Sequence, residues 1–225
     1  EYPYTSGTTS ILRDNFIQLY QQCKNVLNIG NKSFVVDIGS NDGTLLSNFV
    51  NGSCSVLGVE PTDKAKLANS IGVNSIQKFF SEETVDELLK REFDQYRENA
   101  KPHPYMIEAG INAIPYQHDK LDKWRENFVG VQYLHETSNF LLHGAIDDVW
   151  KTDEGELIVV DYKATSKKDK VNIHAPWQRG YKRQMEFYQW LLRKNGFQVS
   201  NRGYFVYCNG RRDRDGFNAK VEFDV

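Results

Sequence analysis

The sequence predicts an α/β protein in two parts. Residues 1–84 form a β-α-β-α-β unit, and residues 85–225 a mixed sheet with an antiparallel meander flanked by helices. Three observations predict this. Up to residue 84, short apolar runs alternate with helix-length segments, as parallel strands joined by crossover helices require. From residue 130, strand-like runs follow one another across the short turns ETSN and KTDEG, which antiparallel neighbours allow. The charge divides as well. Residues 1–84 carry 6 Lys+Arg and 8 Asp+Glu, leaving 22 of the 28 basic and 22 of the 30 acidic residues for the rest.

The elements follow in order. Ser10–Leu27 reads as an amphipathic helix with Ile11, Phe16, Leu19, Tyr20 and Val26 on its apolar side. Residues 33–38 and 55–60 are short apolar runs of the kind buried in parallel sheets, and 73–79 reads as a third strand. Helices at 44–50 and 63–71 connect them, the second stopped by Gly72. Together they make the first half of a doubly wound sheet. A helix over 81–96 starts at the cap residue Ser81, with Thr84 in its first turn. A loop surrounds Pro102 and Pro104, and strands are expected at 130–135, 140–150 and 156–164. A long helix over 177–195 is closed by Gly196, and a strand region at 197–208 runs into a basic turn at 209–214.

Composition excludes several classes. With 225 residues, 40% hydrophobic and 26% charged, the chain has the makeup of an ordinary globular protein. A net charge of −2 demands neither nucleic acid nor membrane as a partner. No apolar run approaches the roughly 20 residues of a membrane helix, and the opening EYPYTSG lacks a signal-peptide pattern. Cys23, Cys54 and Cys208 are scattered, which argues against a disulfide framework or a self-contained zinc site and points to a reduced, cytoplasmic setting. The five histidines show no metal-ligand spacing, though His135 and His143 could face each other across neighbouring strands. One local exception stands out: residues 163–214 hold 13 Lys+Arg against 3 Asp+Glu. That block reads either as a solvated face or as a phosphate-contacting surface.

Two constellations carry chemistry. The first is VVDIGSNDGTLL, where a strand ends, glycines allow close backbone approach and a helix begins. Glu60 ends the next strand, where an acid can accept both hydroxyls of a ribose; the alternative is a plain turn with Glu60 in solvent. The stretch resembles the S-adenosylmethionine site of class I methyltransferases, and YPYTSGTTSILRDNF and LGVEP on its flanks resemble the sugar C-methyltransferase group. The resemblance implies a partial Rossmann-like segment over 1–84, with Asp37, Gly39, Asn41, Asp42, Gly43 and Glu60 lining a cofactor site. It stops after three of the roughly seven strands of that fold, so methyl transfer is not expected.

The second constellation spans HGAIDDVW and VVDYKAT. Strand alternation puts Asp161 and Lys163 on one face, and a hairpin turn centred near Glu154 can lay Asp147 beside Asp161. Two carboxylates with an ammonium nearby are what metal-dependent phosphodiester hydrolysis requires, while a surface ion pair is the plainer reading. Gln184 and Tyr188, spaced i, i+4, share one side of the following helix. This order, G-x-x-D then D-x-K then Q-x-x-x-Y, resembles the PD-(D/E)XK nucleases of the RecB type over about residues 85–225. The resemblance implies a restriction-endonuclease-like core, Mg²⁺ or Mn²⁺ on Asp147 and Asp161, Lys163 as catalytic lysine, and Gln184 and Tyr188 orienting metal and DNA. It further implies an acid on the preceding helix, with Asp86 ranked before Glu87 and Glu92. Asp148 should point to the opposite face and be structural, and no iron–sulfur cluster is expected because the flanking cysteines of some relatives are missing. The implied substrate is single-stranded or end-exposed DNA, met by Lys167, Lys168, Arg179, Lys182 and Arg183, with Trp177 available for stacking.

The two resemblances abut without a linker, FFSEET on one side and VDELLKREFD on the other, which reads as a chimeric join of two partial domains. The expected activity is a metal-dependent deoxyribonuclease. The alternatives are an S-adenosylmethionine-binding protein and a non-catalytic nucleic-acid-binding module.

Overall fold

The computed structural model describes residues 5–31, 33–165, 171–209 and 221–224, with the side chains of residues 82, 177 and 221–224 outside the description. The chain forms two compact units, Glu1–Thr84 and Val85–Val225. Among the described residues, no helix is long and apolar enough to cross a membrane.

In the first unit, α1 (Ser10–Leu27) precedes β1 (Phe34–Ile38), α2 (Thr44–Asn51), β2 (Ser55–Val59), α3 (Lys64–Ser70) and β3 (Ser75–Ile76). The strands pair in parallel in the order β1-β2-β3. Leu46 and Phe49 of α2, Val56 of β2, Ala68 of α3, and Cys54 and Val73 form the core. Here the structure departs from three expectations. α1 has no buried residue: Ile11 is 74% and Val26 77% exposed, and only Tyr20 and Cys23 pack on the core. β1 is half-buried rather than buried: Val35 packs on the core, while Val36 and Ile38 on the other face are exposed. The third strand shrinks to two residues.

The second unit begins along α4 (Glu82–Glu98), whose Thr84 N–H donates to the Ser81 hydroxyl at 3.4 Å. Then come α5 (Pro104–Glu108), β4 (Ala113–Pro115), α6 (Leu121–Arg125), β5 (Val131–His135), β6 (Phe140–Gly144), β7 (Asp148–Thr152), β8 (Leu157–Thr165), α7 (Arg179–Lys194), β9 (Tyr204–Asn209) and β10 (Val221–Asp224). The main sheet has the order β10-β9-β8-β7-β4, with β8 and β9 parallel and the other neighbours antiparallel. Alternation sorts its side chains into two layers. Ile158, Val160 and Tyr162 of β8, with Tyr204 and Val206 of β9, face Leu89 and Phe93 of α4. Leu157 and Val159, with Phe205 and Tyr207, share the other core with Met185, Tyr188, Leu191 and Leu192 of α7.

The expected three-stranded meander is not what forms. Residues 140–150 divide into β6 and β7, which lie in different sheets, and β5 pairs with β6 alone. The chain leaves the small sheet at Gly144, and Ile146 N–H then donates to Trp124 O of α6 at 2.9 Å. The register also sets His143 opposite Gln132 and His135 opposite Phe140, so the two histidines do not face each other. The 102–104 loop runs into α5, with His103 as cap and Pro104 at the first helical position. α7 starts at Arg179 because Pro176–Gln178 is a 3₁₀ turn.

Candidate active site

β7 and β8 pair with Asp148 opposite Val160, so Asp147 stands one step before β7, level with Asp161. Alternation puts Asp161 on the α7 side of β8 and Tyr162 on the α4 side, while Asp147, just ahead of β7, meets side chains of α4 and the backbone of β8. Asp161 is buried, at 4% exposure. The Lys163 ammonium lies 2.5 Å from Asp161 Oδ2 and forms an ion pair with it. Burial raises the Asp161 pKa to about 6; the Lys163 charge opposes the rise, and the neighbouring Asp147 carboxyl adds to it. Lys163 is itself raised, since Asp161, Asp147 and Asp86 outweigh its burial. Its ammonium also sits 5.1 Å from the centre of the Tyr181 ring.

Asp147 has both oxygens engaged. Oδ2 accepts from Tyr162 N at 3.0 Å, and Oδ1 pairs with Lys90 Nζ at 2.8 Å. Lys90 is a site neighbour that sequence reasoning missed, although its i, i+4 spacing from Asp86 on α4 was there to read. Asp86 is raised to about 6 by burial and then by Asp147, against the pull of Lys163 and Lys90. Its Oδ1 is buried without a hydrogen-bond partner. The two rivals for its place look elsewhere: Glu87 pairs with Arg91 at 3.1 Å, and Glu92 with His103 at 3.0 Å.

From α7, Gln184 Nε2 donates to Tyr188 Oη at 2.6 Å. The Tyr188 pKa is raised by burial, with the Asp161 and Asp147 charges adding to the effect. Gly144 lets this helix approach: a Cβ there would stand 2.6 Å from Tyr188 Cε1 and 3.2 Å from Leu191 Cδ1. Arg179, Lys182 and Arg183 are exposed on the first turns of α7. Lys167, Lys168 and the basic turn beyond Asn209 lie outside the described residues, as does the Trp177 side chain.

Three acids and two lysines are thus neighbours, each of Asp147 and Asp161 closed by an ammonium. Among the described residues, no three His, Cys, Asp or Glu side chains gather tightly enough to hold a metal ion.

On the α4 side, Asp148 is completely buried and fully bonded. Its carboxylate accepts from Arg97, from Arg125 at 3.2 Å and from the Tyr162 hydroxyl at 2.7 Å. Arg125 also donates from Nε to Asp147 O at 2.9 Å and forks onto Asp94 at 2.8 and 3.0 Å.

In the first unit, the residues of the glycine turn bind one another. Glu60 is buried, not in solvent: Oε2 accepts from Asn41 N at 3.0 Å, and Oε1 from Thr62 N at 2.9 Å and Thr62 Oγ1 at 2.6 Å. Asp42 accepts from Gly7 N at 2.8 Å and Thr44 Oγ1 at 2.7 Å, and Asn41 Oδ1 from Ser6 N at 3.1 Å. Gly39 and Gly43 hold φ of +80° and +77°, which suits the tight turn. Asp37 is raised to about 6 by burial and by the Glu60 charge. Two of the carboxylates expected at a cofactor, Asp42 and Glu60, thus bond the chain's own amides and hydroxyls.

A mixed sheet with helices on both faces and acidic residues where two of its strands meet is compatible with the restriction-endonuclease-like architecture. The family model described as the PD-(D/E)XK nuclease superfamily matches residues 74–223, about two thirds of the chain, and the chain belongs to that superfamily. The match begins ahead of the unit boundary and runs through every element from β3 to β9. No curated protein matches the chain.

Proposed function

We propose that the chain is a metal-dependent deoxyribonuclease of the RecB type, acting on single-stranded or end-exposed DNA. The carrying observation is that the Asp147 and Asp161 carboxylates and the Lys163 ammonium are neighbours, in a chain of this superfamily. Asp86, Asp147 and Asp161 would hold Mg²⁺ or Mn²⁺, whose hard character suits carboxylate oxygens. The donor chemistry suits such an ion, which would draw the three carboxylates closer together than they stand here: Asp86 Oδ1 is buried without a partner, and burial together with mutual repulsion raises Asp86 and Asp161 to about 6. When bound, the ion supplies a hydroxide at neutral pH and neutralises charge on the phosphoryl oxygens.

The chain's own residues do the rest. Lys163 donates to the attacking water or to the oxygen that gains charge, and Asp161 and Tyr181 hold its ammonium in place. Gln184 fixes the Tyr188 hydroxyl from the side, leaving that hydroxyl's own proton to orient a phosphate. Arg179, Lys182 and Arg183, with Lys167 and Lys168, supply sequence-independent attraction for the backbone phosphates.

The test is cleavage of end-labelled DNA by the intact chain in Mn²⁺, with and without chelator. Cleavage should stop with chelator and with Asp161→Ala. Lys163→Ala should lower kcat by about 10²–10³ without weakening calorimetric Mn²⁺ affinity. Cleavage that survives the chelator or the Asp161 substitution refutes the reading.

A further inference from the structure

Lys90 is not part of the sequence motif, yet its ammonium pairs with the Asp147 oxygen that makes no backbone hydrogen bond. Asp147 Oδ2 faces the Tyr162 amide at 3.0 Å, and Oδ1 meets the Lys90 ammonium at 2.8 Å. Both side chains are about one quarter exposed, so water and ions reach this pair. A divalent cation taking Oδ1 as a ligand would come close to the ammonium, and the repulsion between the two charges would drive them apart. The lysine stem is a flexible four-carbon chain, and it leaves α4 one turn after Asp86, on the same side of the helix. The freed ammonium therefore stays beside the acids, where a substrate phosphate would lie.

We propose that Lys90 is a displaceable counter-ion: it closes Asp147 in the resting site and transfers to the substrate phosphate when a divalent ion enters. This deepens the nuclease reading and rests on it. Lys163 has a different part, since its ammonium keeps the Tyr181 ring as an anchor. Lys90 competes with the metal before substrate binds and assists the phosphate afterwards. Its removal therefore has effects of opposite sign, which a merely structural residue would not produce.

The experiment is a Mn²⁺ titration of the intact chain without DNA, by calorimetry and by the electron spin resonance signal of free Mn²⁺, on wild type, Lys90→Met and Lys90→Arg. Lys90→Met should bind Mn²⁺ about three- to tenfold tighter than wild type. At saturating Mn²⁺ it should cleave DNA about tenfold more slowly, and Lys90→Arg should restore both values towards wild type. Lys90→Gln replaces the Met variant if circular dichroism shows the latter misfolded. Mn²⁺ affinity that is unchanged or weaker in the variant overturns the proposal, as does tighter binding with undiminished cleavage. If wild type binds no Mn²⁺ at all, the nuclease reading fails and this inference falls with it.

Discussion

Asp147 and Asp148 are neighbours in sequence and opposites in chemistry. Asp148 is sealed from water, with two arginines and a tyrosine hydroxyl on its carboxylate. Asp147 is partly open, beside two acids pushed up to about 6 and a buried carboxylate oxygen with no donor. A strand turns successive side chains to opposite faces, so a single step in sequence separates a satisfied carboxylate from an under-satisfied cluster. The satisfied face stabilises the fold. The other gathers three acids against two lysines, with two of the acids pushed up to about 6. The faces are also joined, because Arg125 bonds both the Asp148 carboxylate and the Asp147 carbonyl.

The comparison breaks first at Asp148. Asp148→Ala leaves Arg97, 4% exposed, without its buried counter-ion and removes the acceptor of the Tyr162 hydroxyl. The expected loss is about 3–5 kcal/mol, read by urea denaturation. A loss below about 1 kcal/mol would mean that the network is not what stabilises this face.

Asp161→Asn should have the opposite sign. The Asp161 pKa rises from 3.8 to about 6 on folding, so the folded state holds the proton between these values and the unfolded state does not. Stability is therefore lost as pH rises through that window, and a neutral amide escapes the loss. The variant should be more stable than wild type by about 1–2 kcal/mol at pH 7, and the advantage should vanish near pH 4. Equal stability at both pH values would show that Asp161 is not strained.

Legibility in the sequence followed locality. Alternation on β8 put Asp161 and Lys163 together, and helical spacing paired Gln184 with Tyr188; both patterns need only a few residues. The elements of the first unit were equally readable, but not the exposure of α1, because amphipathicity says which face is apolar and not what covers it. The break between β6 and β7 was hidden in a continuous run of strand-forming residues, with Gly144 the one signal that a close approach was needed. Lys90 looked like an ordinary helix charge. The arginine network joins residues 23 and 51 positions apart, and no local pattern predicts such pairs.

The smallest effect tests whether the satisfied face extends to its rim. Asp94 is about one third exposed and receives the forked Arg125 and the Arg97 Nε. Those two arginines outweigh its burial and hold its pKa below 3.8. The sign is opposite to that of Asp161: the folded state loses the proton more readily than the unfolded one. The stabilisation is therefore complete above about pH 4 and disappears as pH falls through the depressed value. Asp94→Asn should flatten the acid limb of the stability curve below pH 4, relative to wild type, and shift the neutral plateau only slightly because solvent screens the pair. Thermal denaturation between pH 2.5 and 7 would measure both. If the two acid limbs coincide, the arginines stabilise Asp148 alone, and the satisfied face ends at the buried carboxylate.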